Sequence, residues 1–229
     1  YNVEVTTHPP SIPYRETITS KAEGHHRHKK QTGGAGQFGE VFLRIEKLDR
    51  GSGFEFQDKV VGGAIPSQFI PAVEKGVRQA LEGGSVAGFP LQDVRVTVYD
   101  GKHHPVDSKE IAFVTAGKKA FYDAVEKARP IVLEPIVELD ITIPADAVGN
   151  ITGDLSSRRG RILGNPTRSG GRVVNPSEIP RAEVQDYQSQ LKSLTGGAGT
   201  YTMSFSRYEP VPPRTQQDLI AKHAEAATA

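Results

Sequence analysis

The chain has 229 residues, 28 Lys/Arg against 27 Asp/Glu, 36% hydrophobic residues and no cysteine. This length fits two domains of about 100 residues each, and the near-neutral balance speaks against a general polyanion binder. Without cysteine there is no disulfide scaffold, thiolate zinc site or cysteine nucleophile, a reducing cytoplasmic home is expected, and no stretch approaches the ~20 apolar residues of a membrane span.

In chain order, Val3 and Val5 alternate within Tyr1–Thr7, a short strand read as the end of a preceding domain, and His8-Pro9-Pro10 to Pro13 is a linker. Tyr14–Ser20 is a predicted strand, Gly24–Gln31 is basic and polar, and Thr32-Gly33-Gly34-Ala35-Gly36 is a turn. Val41, Leu43 and Ile45 alternate with charged neighbours, which gives a strand with one buried face. Phe54–Val61 is a further strand. Ser67 is placed to cap a helix reaching Glu82, whose apolar face is Val73, Val77, Ala80 and Leu81. Val94, Val96 and Val98 mark a strand ending at the turn Asp100-Gly101. Asp107 or Ser108 is placed to cap a second long helix, with Ile111, Val114, Phe121 and Val125 on its buried side.

The second half opens on a strand alternating Val137, Leu139, Ile141 and Ile143. Pro144 begins a helix carrying Val148, Ile151 and Leu155, and strands follow around Arg161–Leu163 and Arg172–Val174. Pro180 opens a helix with Val184, Tyr187 and Leu191. Thr200–Tyr208, alternating Tyr201, Met203 and Phe205, is the last strand. The order β-α-β-β-α-β is the ferredoxin-like arrangement. Thr215–Ala226 is an Ala-rich tail helix.

The charges are unevenly spread. Lys21 to Gly39 holds four Lys/Arg, three His and one acid, and Ser156 to Arg172 holds five Arg and no acid. Such local patches suit phosphate contact at selected faces, although solvated loops have the same composition. Gly34-Ala35-Gly36-Gln37-Phe38-Gly39 matches G-x-G-x-x-G, but a strand follows it where a dinucleotide site needs a helix N-terminus. A glycine turn at a hairpin tip accounts for it better. No G-x-x-x-x-G-K-[ST] loop exists, so nucleotide binding by that route is not expected. His25, His26, His28, His103 and His104 lack the spacing of a metal site. Exposed His without function, or His donating to RNA phosphate and 2′-OH groups, are the readings left.

Several runs in order resemble the C-terminal part of elongation factor G or an elongation factor G-like paralogue. Tyr14-Arg15-Glu16-Thr17-Ile18 is similar to the start of its fourth domain. Lys30 to Gly39 resembles that domain's first tip loop, and Tyr99-Asp100-Gly101 through Val106-Asp107-Ser108 resembles the second. Gly51 to Phe56, Gly62 to Pro66 and Gly88-Phe89-Pro90 follow in family order. Leu133-Glu134-Pro135 resembles the start of the fifth domain, and Gly153 to Gly164 its most characteristic run. Asn165-Pro166-Thr167-Arg168-Ser169-Gly170 departs from the family's usual turn. Leu194 to Tyr201 and Tyr208 to Pro213 look more like the paralogue.

The resemblance implies an α+β chain. A remnant of a preceding domain and linker occupies 1–13, and an elongated mixed α/β arm like ribosomal S5 domain 2 occupies 14–131. A ferredoxin-like domain follows over 132–210, with a tail helix over 211–229. The arm is expected to mimic a tRNA anticodon stem and reach the decoding region. Gln31, Thr32, Gly33, Gly34 and Ala35 are implied to meet RNA at its tip with His104, flanked by Lys29, Lys30, Gln37 and His103. The ferredoxin-like domain, with Arg158 and Arg159, is implied to dock near the GTPase-associated region of the ribosome. No cofactor is expected here, because GTP and Mg belong to an N-terminal domain of the family. The implied chain is a monomeric, membrane-free part of a GTPase that promotes tRNA and mRNA translocation, and not itself an enzyme. The alternative is a stand-alone RNA-binding or regulatory protein built from the same domains.

Overall fold

A computed structural model describes residues 11–31 and 33–229. The expected strand over Tyr1–Thr7, most of the linker and Thr32 lie outside the described residues. The chain divides into two compact units: Tyr14–Leu133 with Pro210–Ala229, and Glu134–Glu209 with the residues up to Pro13.

The first unit contains β1 (Arg15–Thr17), β2 (Ala22–Lys30), β3 (Gln37–Lys47), β4 (Phe54–Asp58), α1 (Ile70–Gly83), β5 (Val94–Lys102) and α2 (Glu110–Lys127). The strand β6 (Ile131–Pro144) begins in this unit, where Ile131, Val132 and Leu133 pair antiparallel with β1. Strands β2 to β5 form a sheet of order β2-β3-β5-β4, antiparallel except for the parallel pair β4 and β5. That parallel pair needs a crossover, and α1 supplies it. Val41, Leu43, Ile45, Val94, Val96 and Val98 are fully buried beneath the helices, with Phe113 and Phe121 of α2. Each such ring contributes about 1.5–3 kcal/mol by leaving water.

The helices come close because glycine lets them. A Cβ on Gly76 would strike the Val114 carbonyl oxygen, and one on Gly117 would lie 2.7 Å from the Val73 carbonyl oxygen. Gly24 does the same for β2, where a Cβ would strike the Ala120 carbonyl oxygen of α2. This explains why Gly24–Gln31, read from its polarity as an unassigned basic segment, lies up to Lys30 in a nine-residue strand. Its helix-facing positions are small or histidine because α2 leaves no room for large apolar side chains.

Other details differ from expectation. Ser67 does not cap α1: a 3-10 turn over Ser67–Phe69 leads into the helix, Phe69 is the N-cap residue, and no side chain bonds there. Neither Asp107 nor Ser108 caps α2, whose N-cap residue is Lys109. Ile111 is exposed, while Val114, Phe121 and Val125 are buried as expected. Gly101 is no turn residue. β5 runs on to Lys102 with a bulge opposite Phe42/Leu43, and Gly101 is buried in register with Val41. β1 and β4 are shorter than expected.

In the second unit, β6 is followed by α3 (Val148–Ser157), β7 (Arg161–Ile162), β8 (Thr167–Ser169), β9 (Arg172–Pro180), α4 (Tyr187–Leu194) and β10 (Thr200–Pro210). The pairing places β10 beside β6, β6 beside β9, and β9 beside β7 and β8. This is the expected ferredoxin-like β-α-β-β-α-β order. Val137, Leu139, Ile141 and Ile143 pack under Ile151, Leu155, Tyr187 and Leu191. The helix expected from Pro180 is broken. Arg181–Val184 is a 3-10 turn, Asp186 takes a left-handed φ of 63°, and α4 starts only at Tyr187. The apolar alternation of the last strand serves the core only at Tyr201, which packs against Tyr187, while Met203 and Phe205 are exposed.

The last helix, α5 (Pro213–Thr228), belongs to the first unit and is no detached tail. Leu219 and Ile220 pack against Ala87, Val132 and Val211, and Gln216 Oε1 accepts the Val132 N–H at 3.0 Å. Among the described residues no helix is long and apolar enough to cross a membrane.

Candidate functional site

β2 and β3 form a hairpin whose connection holds Gln31, Gly33, Gly34, Ala35 and Gly36. Gln31, Gly33, Gly34 and Ala35 are exposed, and Gly33 and Gly34 take φ of 81° and 123°. Only glycine adopts the second of these readily. No side chain therefore shields the backbone at this point.

The loop between β5 and α2 lies against this connection. The Phe38 N–H donates to the Asp107 carbonyl at 2.8 Å, and the Ser108 hydroxyl donates to the Phe38 carbonyl at 3.0 Å. Ser108 Oγ in turn accepts the His104 N–H at 2.8 Å. A Cβ on Gly36 would lie 2.7 Å from the Asp107 carboxyl carbon. Two segments about seventy positions apart thus close into one tip. Asp107 and Ser108, expected as helix caps, are the residues that tie it. No spacing in the sequence announces that role, because the pairing is set by the sheet.

His104 is exposed, with its ring 6.3 Å from that of Phe38. Its Nδ1 accepts the N–H groups of Val106 and Asp107 at 3.2 and 3.1 Å. Accepting two donors at Nδ1 requires the proton at Nε2, so Nε2–H is left to donate outward. His103, also exposed, donates from Nδ1 to the Ala64 carbonyl at 3.2 Å. Gln37 is partly committed, its Oε1 accepting from His28 Nε2 at 2.9 Å. Lys29 and Lys30 are exposed on the strand leading into the tip. Burial, then Lys119 nearby, holds the His26 imidazole below its ordinary value.

Arg158 and Arg159 belong to the second unit, where their guanidiniums have internal work. Arg158 Nη1 donates to the Glu183 and Gln185 carbonyls at 2.8 and 3.1 Å, and its guanidinium lies 5.3 Å from the Tyr187 ring centroid. Arg159 makes a two-pronged bond to the buried Glu134 carboxylate at 2.7 and 3.0 Å, from a left-handed φ of 57°. In the same basic run Arg161 bonds Glu178, and Arg172 donates to the Ala198 carbonyl at 2.6 Å. The run reads as a patch in sequence because its carboxylate partners lie elsewhere in the chain. These bonds brace α3 and the 3-10 turn, and Arg159 stays 37% exposed while making them.

Among the described residues no three His, Cys, Asp or Glu side chains gather as a metal site. The tip can offer bare backbone N–H groups, an imidazole N–H, a primary amide and flanking ammonium groups. This is a donor-rich, weakly cationic surface suited to phosphate and 2′-OH oxygens.

The family profile described as "Elongation factor G, domain IV" matches residues 10–129, and "Elongation factor G C-terminus" matches 131–219. The chain is 49% identical over 220 residues to an elongation factor G-like protein of Thermotoga maritima, covering 96% of this chain and 32% of that protein. It is 48% identical over 222 residues to elongation factor G of Aquifex pyrophilus, covering 97% and 32%. With an elongation factor G-like protein of Mycobacterium tuberculosis it shares 51% over 212 residues, covering 93% and 30%. A crystal structure from Thermus thermophilus superposes with a TM-score of 0.86 at 44% identity, covering 94% of this chain and 32% of that one. The chain thus spans about a third of the length of these relatives.

Proposed function

Because this chain belongs to the elongation factor G family, as its domain IV and C-terminal domain, we propose that it is the ribosome-binding C-terminal part of a translational GTPase that promotes movement of tRNA and mRNA. The observation that carries this reading is the tip. The Phe38, Asp107 and Ser108 bonds hold the loop of His104 against the start of β3, just after the glycine connection, and the two N–H groups on Nδ1 fix His104 as the tautomer that donates from Nε2. Such a tip can approach an RNA helix closely through its glycines and donate to its backbone. In this reading GTP and Mg act in a part of the protein outside this chain, and the partner is the ribosome in the cytoplasm.

The test uses the full-length protein with His104→Ala on ribosomes holding a tRNA to be moved. Fluorescent tRNA reports movement, and phosphate release reports hydrolysis. Movement should slow about tenfold, the worth of one hydrogen bond to a charged group, with hydrolysis nearly unchanged. Equal loss of both, or loss of neither, would count against a tip that acts in movement.

A further inference from the structure

We propose that the outer face of the β2-β3-β5 sheet, the face turned away from α2, is a second RNA-contact surface that stacks unpaired bases. The inference rests on the RNA-contact reading for the kind of ligand. The surface itself stands on its own geometry.

Phe38 and Phe42 of β3 and Tyr99 of β5 lie on this face, each partly exposed. They are not needed by the core, which has Phe113 and Phe121 on the other side. Planar or cationic groups interleave with them. The His25 ring stacks on Phe42 at 4.2 Å and 26°, and Phe42 lies 6.4 Å from Tyr99. Arg27 sits over Phe38 at 5.3 Å and Arg44 over Tyr99 at 5.5 Å. Lys29 is in register with Phe38.

Charge on the face is sorted along the strands. Toward the tip the acids are Glu40, which is buried, stands in register with Arg27 and Lys102 and accepts from His25 Nε2 at 2.6 Å, and Asp100, in register with Phe42; against these two, Arg27, Lys29 and Lys102 leave an uncancelled excess of cations. At the far end the charges offset one another: Glu23 is in register with Arg44, Arg44 pairs with Glu46, and Arg95 pairs with Glu46 and Glu55. The uncancelled cations adjoin the tip loop directly, because β2 runs into it. A polyanion that meets the tip therefore finds its continuation here.

Aromatic rings on an open sheet face, with cations between them, are how proteins hold single-stranded RNA. The ring supplies a π-face to any base, and the cation meets the phosphates. A paired helix has no free base faces to offer and would gain from the cations alone.

The test compares a short labelled oligouridine with an RNA duplex of the same length, by fluorescence anisotropy at one salt concentration. The wild-type chain should prefer the single strand. Tyr99→Leu and Phe42→Leu should each weaken oligouridine binding about tenfold and leave duplex binding within roughly twofold. Photocrosslinking of thiouridine-labelled RNA to the wild-type chain needs no variant and should mark β3 and β5. Equal affinity for both RNAs, cross-links confined to the two tip loops, or no binding would each overturn the inference. In those cases the rings serve only as cross-strand packing. A chain that stacks oligouridine but fails the tRNA-movement test keeps this surface and loses the ribosomal reading; the opposite pair of results does the reverse.

Discussion

Asp107 lies so close to Gly36 that a Cβ on the glycine would sit 2.7 to 2.8 Å from the atoms of its carboxylate. The two tip loops meet at this contact. Gly36→Ala should push the Asp107 side chain away and loosen the bond from the Phe38 N–H to the Asp107 carbonyl. Hydrogen exchange at the Phe38 amide should speed up about tenfold, for a local cost near 1.4 kcal/mol. Global stability should fall by less than about 1 kcal/mol, since the site is at the surface. Unchanged Phe38 protection would mean that the loops do not depend on this contact.

Glu16 is fully buried, and its carboxylate accepts four backbone N–H groups, from Ser85 and Val86 at 2.9 Å, Ala87 at 3.2 Å and Phe89 at 2.8 Å. The segment after α1 is folded around this one anion. Glu16→Gln removes the charge and turns an amide N–H₂ toward N–H donors. Urea unfolding should show a loss of about 2–4 kcal/mol. A loss below about 0.5 kcal/mol, the range of a neutral surface change, would show that the loop holds itself.

Arg159 tests the distinction between bracing and RNA contact. Arg159→Ala leaves the buried Glu134 carboxylate without its two-pronged partner. A stranded charge of that kind costs about 3–5 kcal/mol, read as a lower unfolding midpoint. RNA binding at the tip should not change. If instead stability holds while ribosome affinity drops, Arg159 is a contact residue after all.

Glu178 and His26 respond to acid in different windows, and Asp123, which burial raises but the His25 N–H and Lys127 hold below its ordinary 3.8, adds to the lower one. The hydrogen bond from Arg207 holds the Glu178 carboxyl below its ordinary value of 4.5, with Arg161 adding to it. A lowered carboxylate binds fewer protons folded than unfolded, so its stabilisation is present above 4.5 and is lost as the pH falls further. Burial, followed by Lys119, lowers His26 from 6.5. Between its folded value and 6.5 the unfolded chain binds more protons, so stability declines as the pH falls below 6.5. His26→Asn should flatten the first decline and Arg207→Leu the second, each leaving the other in place. Unfolding measured across this range checks both. A single decline removed by either substitution would show that the windows were assigned wrongly.

The elements that carry apolar alternation were readable from residue order. Val41, Leu43 and Ile45, then Val137 to Ile143, needed no partner to reveal a buried face, because a period of two says which side meets the core. The ferredoxin-like order followed from the same signal. β2 was not readable, since its inward positions are Gly24, His26 and His28. Their identity is set by how near α2 comes, and that distance is a property of the packed helix pair. The helix starts were misread for a related reason: Ser108 looks like a cap, but its hydroxyl is claimed by Phe38, a residue brought beside it only by the sheet. Basic runs were the least reliable guide. Lys29 and Lys30 are exposed, whereas Arg158 and Arg159 engage acceptors distant in sequence, Arg159 while still exposed itself. Residue order records that a cation is present. Whether it faces solvent or a carboxylate depends on which strands and helices come together, and only the tertiary structure decides that.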